Sequence, residues 1–546
     1  MTADPAAAYK ARKEAFVSNL TGSSLTDISL VTSVATLAIL LWSALQKRQA
    51  LFTPYTTIAG LADFLLNVGA VLFSFTVYSS APLALALSLL CPAILMLLLS
   101  SHPNMASSKS KNDKKSTAVA ATATANDDSS FSSSSSISTQ MPVRPFLTHY
   151  RGSMMISTCL AILAVDFPVF PRRFAKVETW GTSLMDLGVG SFVFSAGVVS
   201  ARAVVKARRR TTTTTKGNVE KLTPGPGFIT RLIQAARHSI PLLILGFIRL
   251  WSVKGLDYAE HVTEYGVHWN FFFTLALLPP FVELVDPMAR SLSQNYSYDM
   301  LAVVLALAYE IALNNTDLLR YILISPRGPD LLSKNREGVF SLFGYLAIFL
   351  AGRGTGVSIV QYQRPSSSSS SSHQSKTRDP VSATAAERRI VLKTLAIRSA
   401  IYILLFVVST HVVLFNLNVS RRLANLSYVL WVASFNATQL LLCGAIESLG
   451  PAFSYEFESQ SAHSDSTLGA SSHASAANAT SRILRAFNSN GLAIFLVANL
   501  LTGLVNLTCN TLDMSVLSAM AVLTLYAAAV AAVAFGLDVS GVKIRL

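Results

Sequence analysis

One short segment of the chain combines a carboxylate, three cations and a stiff backbone. It reads Asp166-Phe-Pro-Val-Phe-Pro-Arg-Arg-Phe-Ala-Lys176. Two prolines in close succession cannot continue a helix, so the chain must turn after Asp166. A carboxylate beside cations at a partly dehydrated boundary can stay ionised and accept a proton from a hydroxyl group. The segment therefore predicts a proton-transfer site. The alternative is an ion pair that merely closes the loop.

The arginines of this segment extend the possible chemistry. Guanidinium groups bind phosphate through paired hydrogen bonds, which Arg172 and Arg173 are suited to form. Cations beside a reacting carbonyl group also stabilise the oxyanion that develops during acyl transfer. The residue types thus indicate either recognition of an anion or acyl chemistry.

A second polar cluster lies between two apolar runs farther along the chain. Its members are Lys254, Asp257, Glu260, His261, Glu264, His268 and Asn270. Glu260, Glu264 and His268 follow at intervals of four and would share one face of a helix. Gly266 interrupts that helix, however, and the HExxH motif of zinc enzymes is absent from the sequence. We therefore expect a structural or substrate-contacting role here and no bound metal.

Several ionisable residues lie inside apolar runs, where a charge is costly. They are Asp63, Asp186, Glu283, Glu310 and His411. In a transporter such groups form a proton or ion relay, whereas elsewhere they pair with neighbouring helices. A lipid or solute transporter that uses Asp63, Asp186 and Glu310 is accordingly the alternative to an enzyme. The two halves of the sequence show no inverted repeat that would favour it.

The composition identifies the elements that must hold these residues. The chain has 546 residues, of which 51% are hydrophobic and 13% charged, against roughly 25% charged in soluble proteins. This excludes a water-soluble enzyme, a disordered regulator and a coiled coil. The excess of 44 Lys and Arg over 29 Asp and Glu is typical of cytosolic loops beside anionic lipids. We expect no nucleic-acid partner, since zinc-finger and RNA-binding signatures are absent from the sequence.

Apolar runs long enough to cross a bilayer recur throughout the chain. A crossing takes about 20 residues, with a rise of about 1.5 Å per residue. The sequence therefore predicts an all-α polytopic membrane protein with about thirteen transmembrane helices, forming one membrane-embedded domain over residues 1–546. The runs are 27–46, 56–78, 81–100, 147–166, 182–204, 238–254, 268–285, 298–314, 338–354, 395–416, 424–446, 490–508 and 513–537.

The positive charges predict an orientation. With the N-terminus outside the cytosol and the C-terminus inside it, 30 of the 44 Lys and Arg residues lie in or beside cytosolic connections, and 14 lie on the other side. This arrangement also places the low-complexity stretches on the cytosolic face as flexible loops. These loops are 101–146, 205–236, 359–392 and 450–487. The Asp166 segment then lies on the opposite face, near glycosylation motifs at Asn418 and Asn425.

Five long blocks of sequence carry a resemblance to a known family. They are YKARKEAFVSNLTGSSLTDISLVTS, AVDFPVFPRRFAKVETWGTSLMDLGVGSFVFSAGVVS, LLILGFIRLWSVKGLDYAEHVTEYGVHWNFFFTLALLPP, SPRGPDLLSKNREGVFSLFGYLAIFLAGRGTG and WVASFNATQLLLC. Together they extend from residue 9 to residue 443 and resemble the GPI-anchor inositol acyltransferases. The serine-rich insertions between them are similar to those of the fungal branch.

The resemblance implies an enzyme of the endoplasmic-reticulum membrane, with its N-terminus in the lumen. The family transfers a fatty acyl group, typically palmitoyl, from acyl-CoA to the inositol ring of glucosaminyl-phosphatidylinositol, and it needs no bound cofactor. The family's catalytic aspartate and lysine correspond to Asp166 and Lys176. Asp166 would take the proton of an inositol hydroxyl group. Lys176 would either stabilise the thioester oxyanion or orient the carboxylate.

The same resemblance gives the two arginines a substrate. Arg172 and Arg173 would hold a phosphate group, either of the phosphoinositide or of CoA. On this hypothesis Arg172→Ala raises the apparent KM more than it lowers kcat, because the contact serves binding.

Overall fold

The computed structural model describes eight stretches of the chain. They are 5–99, 144–213, 227–255, 262–292, 296–361, 380–411, 417–449 and 479–544. Within these stretches the backbone forms helices and connecting turns, without β-strands. The predicted all-α class is therefore confirmed.

Within the described residues, each of the predicted spans coincides with a helix or a helical pair. The α-helices are α1 (Pro5–Val17), α2 (Leu25–Gln49), α3 (Thr57–Phe64), α4 (Ala70–Ser74), α5 (Pro82–Leu98), α6 (Pro145–Ala164), α7 (Leu184–Thr213), α8 (Phe228–Gly255), α9 (Val262–Tyr265), α10 (Phe271–Ser291), α11 (Ser297–Asn315), α12 (Leu318–Leu323), α13 (Leu331–Lys334), α14 (Arg336–Val360), α15 (Pro380–His411), α16 (Leu426–Ser448), α17 (Arg482–Ser489), α18 (Gly491–Thr508) and α19 (Val516–Val539). A π-helical turn joins α3 to α4, and short 3-10 turns occupy Arg172–Phe174 and Thr511–Asp513.

Ten helical segments in the described part of the chain are long and apolar enough to cross a membrane. The other predicted spans correspond to α5, α6 and α8. Of these, α5 has 17 residues, α6 has a polar first half, and α8 carries several arginines. The structure thus shows a polytopic membrane protein. The exact number of crossings and the side of each terminus stay predictions.

Six helices extend into the segments that the sequence predicted as cytosolic loops. α6 begins at the end of 101–146, α7 and α8 enter 205–236, α14 and α15 enter 359–392, and α17 occupies part of 450–487. A helix needs only its own backbone hydrogen bonds to continue beyond an apolar run, and a polar surface suits it there. The loops are therefore shorter than predicted. The remainder of these segments, and nearly all of 101–146, lies outside the described residues.

Helix α14 forms the centre of the bundle, since nearly all of its residues are buried. It packs against α7, α10, α11 and α16. The contact with α7 depends on glycine, because Gly352 faces the carbonyl group of Phe194 and Gly197 faces that of Phe349. A Cβ atom at either glycine would collide with backbone. Small residues thus allow the two helices to approach closely, as in many membrane helix pairs.

One end of the bundle collects the connections that carry the charges identified from the sequence. Backbone and side-chain hydrogen bonds join these connections to one another. Thr182 donates to the carbonyl oxygen of Ser23 at 2.7 Å, and Gly181 donates its N–H to Val419 at 2.8 Å. The Asp166 segment is therefore packed among other connections rather than surrounded by lipid. That this end faces the lumen stays a prediction.

The two glycosylation motifs at this end differ in accessibility. Asn425 is fully buried and caps α16, where its side chain accepts a hydrogen bond from the N–H of Tyr428. Asn418 is exposed. A glycan is therefore compatible with the structure at Asn418 and incompatible with it at Asn425.

Candidate active site

The Asp166 segment forms a compact turn directly after α6. The helix ends at Ala164, and Pro171 begins the 3-10 turn that precedes Lys176. Three phenylalanine side chains of the segment are fully buried and anchor it in the core; they are Phe167, Phe170 and Phe174. The turn predicted from the prolines is confirmed.

Arg172 binds the backbone of this same turn. Its Nη2 donates to the carbonyl oxygens of Val165, Phe167 and Phe170 at 2.7, 3.2 and 2.8 Å. Its guanidinium carbon lies 3.8 Å from the centre of the Phe16 ring on α1, a cation–π contact. Carbonyl groups at the end of a helix lack partners within the helix, and Arg172 supplies one. Binding of phosphate by Arg172 stays a prediction.

Arg173 ties the turn to the first part of the chain. Its Nε donates to Oδ2 of Asp27 at 2.6 Å, and its Nη2 donates to the carbonyl oxygen of Ser79 at 2.7 Å. The side chain remains 39% exposed, so part of the guanidinium is accessible. A phosphate contact by Arg173 also stays a prediction.

Asp166 is half-buried and has a polar partner on α18. Nδ2 of Asn506 donates to Oδ2 of Asp166 at 2.7 Å, and Nζ of Lys13 donates to Oδ1 of Asn506 at 2.8 Å. Burial raises the pKa of Asp166, while the Asn506 hydrogen bond and the charges of Lys13 and Arg172 oppose that rise. A carboxylate with a raised pKa is a stronger base, which suits proton removal from a hydroxyl group.

Lys176 points to a different partner. Its Nζ donates to Oε1 of Glu264 at 2.7 Å, and its side chain lines a cavity. Among the described contacts, no hydrogen bond or ion pair joins Lys176 to Asp166, and Asp166 is not among the described residues that line this cavity. The structure therefore places the two predicted catalytic residues on one turn but with separate partners.

The cavity has a volume of about 400 Å³ and a mainly apolar wall. It lies among α2, α4, α6, α7, α8, α9, α10, α16 and α18. Typical apolar lining residues are Val31, Val71, Met154, Leu187, Phe192 and Phe495. Charged groups line it as well, namely Lys176, Glu264 and Arg249. An apolar cavity with a few polar groups is the usual form of a site for an amphiphilic small molecule.

Glu264 is the acidic group of this cavity. It pairs with Lys176 at 2.7 Å and with Nη1 of Arg421 at 3.1 Å. Burial alone would raise the pKa of Glu264, but the positive charges of Lys176 and Arg421 outweigh burial and lower the pKa to about 2. Glu264 is therefore anionic at neutral pH and keeps a cation at the cavity wall.

The structure describes only part of the second polar cluster. Lys254 lies in the last turn of α8, while Asp257, Glu260 and His261 lie outside the described residues. Within the described residues, no group of three His, Cys, Asp or Glu side chains is placed to share a metal ion. Because some candidate ligands are not described, the absence of a metal here stays a prediction.

The end of this cluster has a structural role. Gly266 has a φ of 111° and follows the last residue of α9, which confirms the predicted helix break. His268 donates its backbone N–H to Oδ1 of Asn335 at 2.8 Å. Asn270 caps α10, donates from Nδ2 to the carbonyl oxygen of Gly246 at 2.9 Å, and lines the cavity. Substrate contacts by His268 and Asn270 stay predictions.

Two residues that the sequence did not single out lie beside Asp166 and beside Glu264, the partner of Lys176. Asn506 contacts Asp166, and Arg421 contacts Glu264. The sequence does contain an indication that Arg421 is special. Arg421 and Arg422 are consecutive cations in a connection on the predicted non-cytosolic face, where the positive-inside rule predicts few Lys and Arg residues. The indication for Asn506 is weaker, because a single amide side chain in an apolar helix does not by itself point to a functional site.

Fold and site together define a polytopic membrane protein with a largely apolar cavity beside charged interhelical connections. The sequence matches the GWT1 family over residues 9–537, and the chain belongs to this family. The proteins named GPI-anchored wall transfer protein 1 are similar along nearly the whole chain. The one from Aspergillus fumigatus is 51% identical over 539 residues, which are 98% of this chain and 99% of that protein. The one from Candida albicans is 37% identical over 541 residues, with the same coverage.

Proposed function

We propose that this protein transfers a fatty acyl group from acyl-CoA to an inositol hydroxyl group of glucosaminyl-phosphatidylinositol. The reaction would take place in the endoplasmic-reticulum membrane during GPI-anchor biosynthesis. Membership of the GWT1 family supports the role in GPI biosynthesis. The observation that carries the finer proposal is the apolar cavity with Lys176 and Glu264 in its wall.

The dimensions of the cavity suit a fatty chain. Its lining follows α6 from Tyr150 to Ile162, a distance of about 18 Å at the rise of an α-helix. Most of the wall is apolar, so a fatty chain buried there would stay out of water, which is favourable. A polar solute would find few partners for its hydrogen bonds along this wall.

The two candidate catalytic residues suit different atoms of the reaction. Asp166 accepts the proton of the inositol hydroxyl group, whose oxygen attacks the thioester carbonyl carbon. Lys176 stabilises the negative charge on the carbonyl oxygen. The new ester C–O bond then forms as the C–S bond breaks, and the CoA thiolate leaves and takes up a proton. Because Lys176 faces the cavity and has no described contact with Asp166, the oxyanion role fits it better than orientation of the carboxylate.

The remaining predicted contacts complete the proposal. The phosphate groups of the phosphoinositide or of CoA bind the accessible part of Arg173, with Arg172 beside it. Lys254, Asp257, Glu260, His261, His268 and Asn270 contact the polar part of a substrate. No resident cofactor is required, because acyl-CoA supplies the activated group.

The buried carboxylates do not favour the transporter alternative. Asp63 accepts hydrogen bonds from Asn67 and Ser481 at 2.8 and 2.7 Å, and Asp186 pairs with Arg421 at 2.6 Å. Glu310 accepts the backbone N–H of Leu426 at 3.0 Å, which fixes the start of α16. A relay needs groups that can pass a proton along a path, whereas these carboxylates hold separate parts of the fold.

Acyl transfer by variant protein in microsomes tests the proposal. Asp166→Asn and Lys176→Ala should abolish transfer to glucosaminyl-phosphatidylinositol and the release of free CoA, while the protein still accumulates in membranes. Asp513→Asn is the matched control, because this exposed carboxylate at the same end pairs with exposed Arg12, a kind of pair that contributes little. Near-normal turnover in either variant rules out a catalytic role for that residue. Ion-coupled uptake into proteoliposomes without release of CoA would establish the transporter instead.

A further inference from the structure

Arg421 lies at the centre of a buried group of charges beside the cavity. Its Nε donates to Oδ1 of Asp186 at 2.6 Å, and its Nη1 is 3.1 Å from Oε1 of Glu264. The side chain of Arg421 is 5% exposed, and that of Asp186 is fully buried. One guanidinium group therefore joins a carboxylate of α7 to a carboxylate of α9.

Both carboxylates also hold the segment that contains Lys176. Oε1 of Glu264 accepts from Nζ of Lys176 at 2.7 Å. Oδ2 of Asp186 accepts the backbone N–H of Val177, the next residue, at 3.1 Å. The contacts thus form a closed ring in which Glu264 holds the side chain of Lys176, Asp186 holds the adjacent backbone, and Arg421 joins the two acids.

The charges in this ring balance. Lys176 and Arg421 carry two positive charges, and Asp186 and Glu264 carry two negative charges, with Arg249 of α8 exerting a further positive field on Glu264. Buried charges are tolerated when they are paired, and removal of one partner leaves the other uncompensated. Without Arg421, Asp186 would lose the cation that pairs with it and Glu264 would keep Lys176, so the ammonium group of Lys176 would be drawn towards the excess negative charge.

We propose that Arg421 is a positioning residue for Lys176. Arg421 neutralises the charge of Asp186 and forms a second ion pair with Glu264. The ammonium group of Lys176 therefore stays at the cavity wall, where it would face the thioester. The catalytic consequence rests on the proposed function, whereas the effect on Lys176 itself does not. Displacement of a reacting group by about 1 Å can cost about 10²-fold in rate, so a change at Arg421 is expected to act on kcat.

The first test measures the reactivity of Lys176 directly. The full-length protein in detergent is treated with an amine-acylating reagent, and labelling of individual lysines is followed by peptide mass spectrometry. Arg421→Gln should slow labelling of Lys176 several-fold, because its ammonium group is then drawn towards two acids and is less accessible to the reagent. Arg421→Gln combined with Asp186→Asn should restore the labelling rate, since the excess negative charge is gone. Lys334, which lies in another connection, serves as the internal control and should be labelled equally in every variant.

The second test measures catalysis. Arg421→Gln should lower kcat by about tenfold or more, with KM for acyl-CoA nearly unchanged. The double variant should recover part of kcat. A purely structural Arg421 would instead give a variant of lower melting temperature that the second substitution does not rescue.

The outcomes separate the proposal from the function on which it rests. Wild-type labelling of Lys176 together with wild-type kcat in Arg421→Gln would overturn the positioning role. If the wild type has no acyl-transfer activity but Arg421→Gln still slows labelling of Lys176, the proposed function is overturned and the positioning role stands.

A second variant is available should Arg421→Gln fail to accumulate. Arg421→Lys keeps the charge but cannot span two carboxylates. It should then lower kcat without slowing labelling, and unchanged kcat would count against the proposal.

Discussion

Lys176 and Glu264 form an ion pair of 2.7 Å at the cavity wall, although 88 residues separate them in the sequence. The pair joins the turn after α6 to the short helix α9. Gly266, whose positive φ directs the chain into α10, follows α9 directly, so the position of Glu264 is fixed by the chain that follows it and by its ion pairs. The cation that the proposed reaction needs is therefore supplied by one connection and held by another.

The pH dependence of stability should reveal this pair. The pKa of Glu264 in the folded protein is lowered to about 2, below its ordinary value of about 4.3. A lowered pKa gives stability that is present above the ordinary value and is lost as the pH falls towards 2. The melting temperature of the wild type should therefore exceed that of Glu264→Gln by a constant amount between pH 7 and 5, and the difference should shrink below pH ~4.

Melting curves of both proteins in the same detergent provide this comparison. The use of a difference removes the contribution of the other carboxylates, which titrate in both proteins. A difference that stays constant down to pH ~3 would show that Glu264 is not held as an anion by its cations.

Asn506 should control the pH dependence of activity through Asp166. Its side chain donates to the carboxylate at 2.7 Å, and a hydrogen bond to the charged form lowers a pKa. Without it, burial should raise the pKa of Asp166 further. The acidic limb of the kcat/KM profile should therefore move to higher pH in Asn506→Ala, by about half a unit to one unit, with less change at alkaline pH.

Arg12→Ala is the matched control for this measurement. This substitution removes the exposed contact between Arg12, which precedes Lys13 on α1, and Asp513. It should leave the acidic limb of the kcat/KM profile in place. If Asn506→Ala lowers activity equally at every pH, Asn506 acts on the fold and not on the ionisation of Asp166.

The sequence predicted well the features that depend on local physics. The span predicted at 27–46 is observed as Leu25–Gln49, because the thickness of a bilayer sets the length of an apolar helix. The turn after Asp166 followed from the geometry of proline. The pairing of Arg421 with Asp186, which are 235 residues apart, depends on how helices pack, and no local pattern specifies it. For the same reason, the sequence did not indicate that Asn506 would contact Asp166 or that Glu264 would contact Lys176.

Arg172→Ala should reveal whether this arginine serves the turn or a substrate. Its three contacts with carbonyl oxygens lie within the turn, and unpartnered buried groups cost about 1–3 kcal/mol each. We expect a lower melting temperature, and a fall in kcat that exceeds any rise in KM, because Asp166 belongs to the same turn. Steady-state kinetics and melting curves on one preparation give both quantities. A raised KM with an unchanged melting temperature would favour phosphate binding by Arg172 instead.

The bulk of Phe495 in the cavity wall should limit the length of the acyl chain. Phe495 lines the cavity on α18, eleven residues before Asn506, which places it about 16 Å along the helix from the Asp166 contact. Its ring packs against the rings of Phe192 and Phe272 in the cavity wall, so it occupies space that a chain extending from Lys176 could fill. Phe495→Ala opens space there, and each added methylene group in an apolar pocket contributes about 1 kcal/mol or more. The ratio of kcat/KM for a longer acyl-CoA over a shorter one should rise by about tenfold or more.

Competition between two acyl-CoA substrates of different length measures this ratio in one reaction. Leu500→Ala is the matched control, since Leu500 lies on the same helix but is 75% exposed and faces away from the cavity. It should leave the ratio unchanged, because it removes a similar apolar volume outside the binding space. Equal ratios in Phe495→Ala and the wild type would mean that the acyl chain does not reach Phe495, and that its binding space lies elsewhere.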